Sequence, residues 1–149
     1  MVNKSKIKGS NWERAIAQKF NEEFETDVWK RVPGSGALGT ILGETSLVGD
    51  VKGRFDFLNR TFIIEAKTGY GGSKQLTLKK DWIDKIKSEA SRSFGFGAMI
   101  GKFLGAKLGT KHFIVMDLYD FIEIMKEAED NYSELQELYT KIGDKNEYE

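Results

Sequence analysis

The sequence predicts a mixed α/β fold, in which helices flank a central mixed β-sheet and a helical extension follows at the carboxyl end. Segments with helical spacing of apolar residues alternate with short runs of β-forming residues, and residues 119–149 combine helical spacing with an acidic composition. A length of 149 residues is typical of one domain with a single hydrophobic core. We therefore expect a main body at residues 1–118 and an acidic helical extension of the same domain at residues 119–149.

The amino-terminal residues predict a basic arm followed by a helix. Residues 1–9 are expected to be flexible. The helix is expected to begin at Ser10, since Ser10 or Asn11 can cap it and Glu13 follows Ser10 by three residues, as in a capping box. One apolar stripe at four-residue spacing forms the buried face of this helix: Trp12, Ile16, Phe20 and Phe24.

The next sixty residues predict strands separated by glycine-rich loops. Residues 27–32 (DVWKRV) alternate as in a short strand, and residues 33–44, with four glycines and the only proline, predict a mobile loop. Residues 46–51 and 54–58 predict short strands or one bent strand, and a turn follows at Asn59-Arg60. Residues 61–67 (TFIIEAK) are the strongest predicted strand.

The second half of the chain predicts a helix, two strands and a helical end. After a glycine-rich break at residues 69–73, residues 76–91 show helical spacing of apolar side chains. Residues 96–104 and 112–118 are apolar β-type segments. Residues 119–142 predict one or two amphipathic helices.

The net charge of zero hides an uneven distribution along the chain. Residues 1–110 contain 19 Lys and Arg against 12 Asp and Glu, a balance of +7, and residues 111–149 contain 4 against 11, a balance of −7. A basic body can neutralise phosphates, and an acidic end either stays clear of them or contacts a partner. The charge distribution allows DNA binding without requiring it.

Composition excludes several classes of protein. The absence of cysteine excludes disulfides, thiolate catalysis and cysteine-based zinc sites, and it fits a reducing cytoplasm. No apolar run reaches the ~20 residues of a membrane span, and no apolar stretch of a secretory signal follows the basic start. The sequence also lacks GxxxxGK[ST] and GxSxG motifs. His112, the single histidine, is expected to have a structural or solvated role.

One group of charged residues stands out for its chemistry. In a strand over residues 61–67, Glu65 and Lys67 point to the same face, at the end of a run apolar enough to be buried. Asp50 offers a second carboxylate fifteen residues earlier. A simple hairpin at Asn59-Arg60 would place Arg54 opposite Glu65, so a bulge or a longer connection near Lys52-Gly53 is needed to bring Asp50 alongside. Asp56 is a rival second carboxylate.

Two carboxylates beside a lysine indicate a metal-dependent hydrolytic site. Carboxylate oxygens suit Mg²⁺ or Mn²⁺, and the lysine can orient or deprotonate a water or offset developing negative charge. The alternative is that Glu65 and Lys67 form an ordinary surface ion pair on a strand.

These residues resemble the motif of the PD-(D/E)xK nuclease superfamily, with Asp50, then Glu65-Ala66-Lys67, and with Gly49 where proline often stands. The chain more specifically resembles the archaeal-type Holliday junction resolvases, including versions carried by phages. Residues 8–14 (KGSNWER) match the family's helix-opening segment, and residues 31–36 (RVPGSG) match its R-x-P-x-S-G segment. The resemblance covers roughly residues 8–116, with four motifs in the family's order, and it implies a nuclease domain with a restriction-endonuclease-like core at residues 1–118.

The resemblance also implies roles for individual residues. Asp50, Glu65 and the backbone carbonyl of Ala66 would bind the metal, and Lys67 would be the catalytic lysine. The others would surround this centre: Glu13 as a further metal or water ligand, Arg31 as a contact to the scissile phosphate, Ser35 near the cleaved strand, and Gln75 as a minor contributor. Simpler alternatives are a capping-box acid at position 13, a stacked or paired arginine at position 31, and a turn serine at position 35.

The implied function is Mg²⁺-dependent resolution of four-way DNA junctions in recombination and repair by a homodimer, in the host cytoplasm if the protein is phage-encoded. Mn²⁺ is expected to substitute for Mg²⁺. The alternatives are another nuclease of the superfamily (a nickase, or a flap- or sequence-specific enzyme) and an inactive DNA-binding module. The acidic helical end after Leu118 has no counterpart in the resemblance, and we expect it to serve dimerisation or a partner.

Overall fold

The computed structural model describes residues 4–33 and 49–146, with side chains described for residues 7–33 and 49–142. Within these residues the chain forms three helices and five strands. In chain order they are α1 (Lys4–Glu23), β1 (Lys30–Arg31), β2 (Val51–Gly53), β3 (Phe62–Thr68), α2 (Lys80–Ser91), β4 (Phe96–Lys102), β5 (His112–Met116) and α3 (Leu118–Asn146).

All five strands lie in one mixed sheet, in the order β1-β2-β3-β4-β5. β3 and β4 are parallel, and the other three neighbouring pairs are antiparallel. A parallel pair needs a long crossover connection, which α2 supplies. The prediction of a mixed α/β fold with flanking helices and a helical carboxyl end is confirmed.

Strand β3 separates two hydrophobic layers because its side chains alternate between the faces of the sheet. Ile63 faces α2 and packs with Ile86 and Ala90. Phe62 and Ile64 point the other way, into the larger core beneath α1. The buried members of that larger core are Trp12, Ile16, Ala17, Trp29, Val51, Leu58, Phe62, Ile64, Phe96, Ile100 and Ile124.

The predicted strand at residues 27–32 is shorter in the structure, where β1 covers only Lys30–Arg31. The side chain of Asn21 explains this. Its amide nitrogen donates to the Trp29 carbonyl at 2.9 Å, and its oxygen accepts from the Trp29 N–H at 3.0 Å. Because Asn21 takes both backbone groups of Trp29, that residue is not available for strand pairing.

The strand predicted at residues 54–58 is wrong, since these residues turn back between β2 and β3. The N–H of Leu58 donates to the Phe55 carbonyl at 3.0 Å, which closes the turn. Leu58 is buried in the core, and the Phe55 ring lies 5.1 Å from the Trp29 ring. Packing of these two side chains against the α1 layer outweighs the local β preference.

The start and end of the first helix also differ from the prediction. α1 begins at Lys4, so residues 4–9 are helical instead of forming a flexible arm. Ser10 therefore lies inside the helix, and the predicted capping box is wrong; Ser10 and Glu13 instead accept hydrogen bonds from Arg31. Phe24 lies beyond the last helical residue and is half-exposed.

Two later helices have different bounds from those predicted. α2 begins at Lys80 instead of residue 76, and the carboxyl end is the single helix α3. α3 is held to the body by Ile124, which is buried, and by Arg60, which pairs with Glu123 and Glu127 at 2.8 and 2.9 Å. Among the described residues, no helix has the length and apolar character needed to cross a membrane.

The close approach of α2 to β4 makes a testable prediction. A Cβ at Gly97 would lie 2.5 Å from the Ile86 carbonyl oxygen, so Gly97→Ala must displace the helix. We expect this variant to lower the free energy of unfolding by about 1–3 kcal/mol, measured by urea denaturation. Gly9→Ala is the control: Gly9 lies inside α1 with its nearest atom at 3.8 Å, and the variant should be stabilised by about 0.5–1 kcal/mol. Unchanged stability of Gly97→Ala would contradict the close packing.

Candidate active site

The register between β2 and β3 places Asp50 beside the strand that carries Glu65. Val51 pairs with Ile64, so Asp50 is level with Glu65, and the connection between the strands is long, as predicted for Asp50 to reach this position. The Asp50 N–H donates to the Ile64 carbonyl at 2.8 Å, and its carbonyl accepts from the Val32 N–H at 2.8 Å. The structure therefore holds the Asp50 backbone between the end of β1 and the inner part of β3.

The carboxylate of Asp50 is hydrogen-bonded to β3 itself. Its Oδ2 atom accepts from the Ala66 N–H at 2.8 Å. In an antiparallel ladder, the N–H and C=O of one residue face the same neighbouring strand. The Ala66 carbonyl therefore points toward the side on which Asp50 lies.

Gly49 shows why proline is not tolerated before Asp50 in this chain. Its φ is +71°, whereas the proline ring holds φ near −65°. A Cβ at position 49 would also lie 2.3 Å from the Ile63 Cγ2 atom. The departure from the proline of the superfamily motif thus has a backbone cause.

Glu65 and Lys67 lie on the face of the sheet that α2 covers. The Lys67 Nζ atom donates to Glu65 Oε1 at 2.6 Å. Their side chains are only 16% and 14% exposed, so this pair is not an ordinary surface ion pair. Lys67 Nζ also lies 4.8 Å from the centre of the Trp82 ring on α2. The apolar spacing of residues 76–91 predicts Trp82 only as part of a helix. That spacing does not indicate the contact between Trp82 and Lys67.

Glu13 and Arg31 pair with each other on the opposite face. Arg31 is level with Val51, whose side chain is in the core beneath α1. The Arg31 Nε atom donates to Glu13 Oε2 at 2.5 Å, and its Nη2 atom donates to the Ser10 hydroxyl at 3.0 Å. This is the paired arrangement considered as the simpler alternative for Arg31. Arg31 is close to Asp50 through its neighbour in the chain. The N–H of Val32, the residue after Arg31, donates to the Asp50 carbonyl.

The structure places none of the remaining sequence candidates at this site. Ser35 is outside the described residues, so its predicted place near the cleaved strand stays a prediction. Gln75 is exposed in the segment before α2. Asp56 is exposed in the turn that precedes β3, whereas Glu65 is the central residue of that strand. The structure thus brings Asp50, and not Asp56, alongside the Glu65-Lys67 segment.

His112 packs beside Trp12 at a ring-centre distance of 4.7 Å. Burial lowers the pKa of His112, and the nearby charges of Lys102 and Lys111 lower it further. A neutral imidazole on an aromatic ring agrees with the structural role expected from the sequence.

A family model described as "Phage putative PDDEXK endonuclease" matches residues 4–149. The chain belongs to this family. The predicted superfamily is thereby confirmed, and the five-stranded mixed sheet with flanking helices is consistent with a PD-(D/E)xK core. No curated protein and no solved structure matches the chain.

The oxygen donors of this PDDEXK endonuclease fit a hard divalent cation. Mg²⁺ is commonly held by one or two carboxylates, with water and substrate phosphate completing its coordination. Asp50 and Glu65 supply two carboxylates, and Ala66 supplies a carbonyl directed to the same side. Among residues 4–33 and 49–146, no three acidic or histidine side chains form a metal-binding group. Glu13 is therefore not gathered with Asp50 and Glu65, and its role as a further ligand stays a prediction.

A cleft of about 450 Å³ opens beside Ala66 of the endonuclease. Its lining residues come from α1, from the end of β3 and from the segments after β3 and β4: Lys8, Gly9, Ala66, Thr68, Gly69, Tyr70 and Leu104. The cleft gives solvent access to the backbone that carries the site, and Lys8 places a positive charge at its wall.

The contact between Lys67 and Trp82 predicts that the ring positions the lysine. Trp82→Leu is expected to slow Mg²⁺-dependent DNA cleavage about 3–30-fold, since an ammonium over an aromatic ring gains ~0.5–2 kcal/mol. Trp82→Phe keeps an aromatic face and should stay within about threefold of the wild type. Single-turnover cleavage rates with saturating enzyme measure this effect. Equal losses in the two variants would show that the aromatic face does not matter.

Proposed function

We propose that this protein is a structure-selective endonuclease that resolves four-way DNA junctions by metal-dependent hydrolysis of phosphodiesters. The observation that carries the proposal is the hydrogen bond between Asp50 and β3, which joins one carboxylate to the segment bearing Glu65 and Lys67. The order of the four sequence motifs supports the junction as substrate. The family supports the endonuclease activity.

The chain's own residues have separable tasks in this proposal. Asp50, Glu65 and the Ala66 carbonyl would hold Mg²⁺, which supplies Lewis-acid stabilisation and an activated water when bound. Lys67, held 2.6 Å from Glu65, would orient or deprotonate the attacking water, or offset the negative charge that develops on the phosphate.

Arg31 would contact the scissile phosphate. A guanidinium has five N–H donors, and Glu13 and Ser10 account for two of them. Glu13 would thus orient Arg31 from α1, which is a different use of this acid from that of a metal ligand. The pairing seen in the structure supports the orienting role.

Recognition of a junction depends on its shape and its phosphates. The basic balance of residues 1–110 supports phosphate contact, so binding is expected to weaken steeply with rising salt. Symmetric cleavage of a junction requires two active sites, so the functional unit is proposed to be a two-fold symmetric homodimer.

The metal-binding role of Asp50 is tested against that of Asp56. Asp50→Asn is expected to reduce Mg²⁺-dependent cleavage by about 100-fold or more, because a metal ligand supports several kcal/mol of charge stabilisation. Asp56→Asn makes the same chemical change in the exposed turn and should remain within about twofold of wild type. Titration with Mn²⁺, followed by its electron paramagnetic resonance signal, should show weaker binding to Asp50→Asn alone. Loss of activity in Asp56→Asn with retention in Asp50→Asn would reverse the assignment.

Substrate selectivity is tested with three DNA molecules of equal length and concentration: a four-way junction, a flap and a linear duplex. We expect the junction to be cleaved at least about tenfold faster than the others, a difference of ~1.4 kcal/mol in transition-state binding. Glu65→Gln serves as the inactive control for contaminating nucleases. Equal cleavage of the linear duplex would reject junction resolution while leaving the endonuclease assignment intact.

A further inference from the structure

The carboxyl-terminal helix α3 has two parts with different surroundings. Its first part is held to the body by buried Ile124, by the ion pairs of Glu123 and Glu127 with Arg60, and by Asn131, whose side chain donates to the Phe57 carbonyl at 2.6 Å. In the described part of the chain, Asn131 is the last α3 side chain with a recorded hydrogen bond to the body. From residue 132 to residue 142 every side chain is exposed.

An apolar seam runs along α3 with alternating spacings of three and four residues. We define this seam by eight residues: Leu118, Phe121, Met125, Ala128, Tyr132, Leu135, Tyr139 and Ile142. Ala128 is partly buried, and each of the other seven is a large side chain at least 46% exposed. The alternation continues without interruption for more than three heptads, which is the pattern of a helix that packs against another helix.

The seam is not the face that α3 turns toward its own core. Ile124 and Asn131 contact the body roughly a quarter-turn away from the seam around the helix, and Glu127 contacts it from roughly a third of a turn away. The fold thus uses one side of α3 and leaves a second apolar side exposed. Exposed apolar patches of this extent mark interaction sites in proteins that are otherwise folded.

The last part of α3 continues the 29-residue helix beyond its contacts with the body. Most helical stability in proteins comes from packing an apolar face. Residues 132–142 have the apolar face but, within the described residues, pack against no other element.

We propose that the seam is a homodimer interface, in which α3 of one protomer packs along α3 of a second copy. Charge placement supports a copy of the same chain as the partner. Seven acidic residues lie between positions 118 and 142, yet of these only Glu129 occupies a position that flanks the seam. Two acidic helices can therefore meet along this face with few like charges opposed.

The size of the seam also fits a dimer. Its large side chains offer on the order of 700 Å² per helix, since one aromatic side chain alone buries ~150–250 Å². Each partner in a standard interface buries ~800 Å². The sequence and exposure of α3 support this interface independently of the proposed DNA substrate.

The mass of the protein in solution tests this interface. Size-exclusion chromatography with light scattering should give twice the mass of one chain for the wild type. Leu135→Glu/Tyr139→Glu buries two charges in the seam and should weaken self-association by about 100-fold or more, giving a monomer. Ser133→Glu/Thr140→Glu adds the same charges to the same helix, on its outer side, and should remain dimeric. Circular dichroism should show that both variants remain folded, with any loss of helix confined to the seam variant.

Cross-linking provides a second measurement, because the chain has no cysteine. Tyr132 lies near the middle of the seam, where the two copies are adjacent whether the helices run parallel or antiparallel. Tyr132→Cys should give a covalent dimer with a short bismaleimide, and Ser133→Cys should not. A monomeric wild type, an oligomer that the seam variant leaves intact, or equal cross-linking at both positions would overturn the proposal. Each of these readouts is independent of cleavage, so failure here is distinguishable from failure of the proposed activity.

Discussion

The backbone N–H of Ala66 donates to the Asp50 carboxylate at 2.8 Å, and the geometry of the candidate site depends on this contact. β2 is only three residues long, so its pairing with β3 ends just before the charged segment begins. A side-chain carboxylate then continues the ladder in place of a backbone carbonyl. Because a hydrogen bond to an ionised acceptor is stronger than one between neutral groups, this contact fixes Asp50 beside Glu65 more firmly than strand pairing would.

Burial sets a second constraint on the same segment. A charged side chain taken out of water is costly unless it is paired, and each charged group of the site has a partner. Glu65 has Lys67, and Lys67 also has the Trp82 ring; Glu13 has Arg31. These partners hold the charged side chains in place. A phosphate or a cation that enters must compete with contacts already formed.

Much of the architecture follows from local patterns, and the errors have identifiable causes. The apolar stripe of α1 and the alternation in residues 61–67 predicted a helix and the central strand because burial of one face determines both patterns. The Asp50 register was predicted only as a conditional requirement for a long connection. That connection depends on Phe55 and Leu58 packing under α1, a tertiary effect that β propensity alone does not reveal.

The same holds for the site: local motifs predicted its residues, whereas contacts that depend on the tertiary fold were not predicted. Motif spacing identified Asp50, Glu65 and Lys67, which the structure brings together along the second half of β3. It did not predict that Glu13 pairs with Arg31, because the contact joins a helix to a strand eighteen residues away. Trp82 was missed for the same reason. A tryptophan at helical spacing is normally a packing residue, and only the three-dimensional arrangement places its ring near Lys67.

The sheet lies between the Glu13-Arg31 pair and the Glu65-Lys67 pair. This separation affects how substitutions in one pair influence the other. Contacting residues influence each other's substitutions strongly, whereas residues without shared partners behave nearly independently. An exchange of both members of the α1-side pair is therefore expected to leave the contact between Glu65 and Lys67 on the other face unchanged. Under the proposed function, the DNA contact of Arg31 and the chemistry of the Glu65-Lys67 pair can thus vary separately.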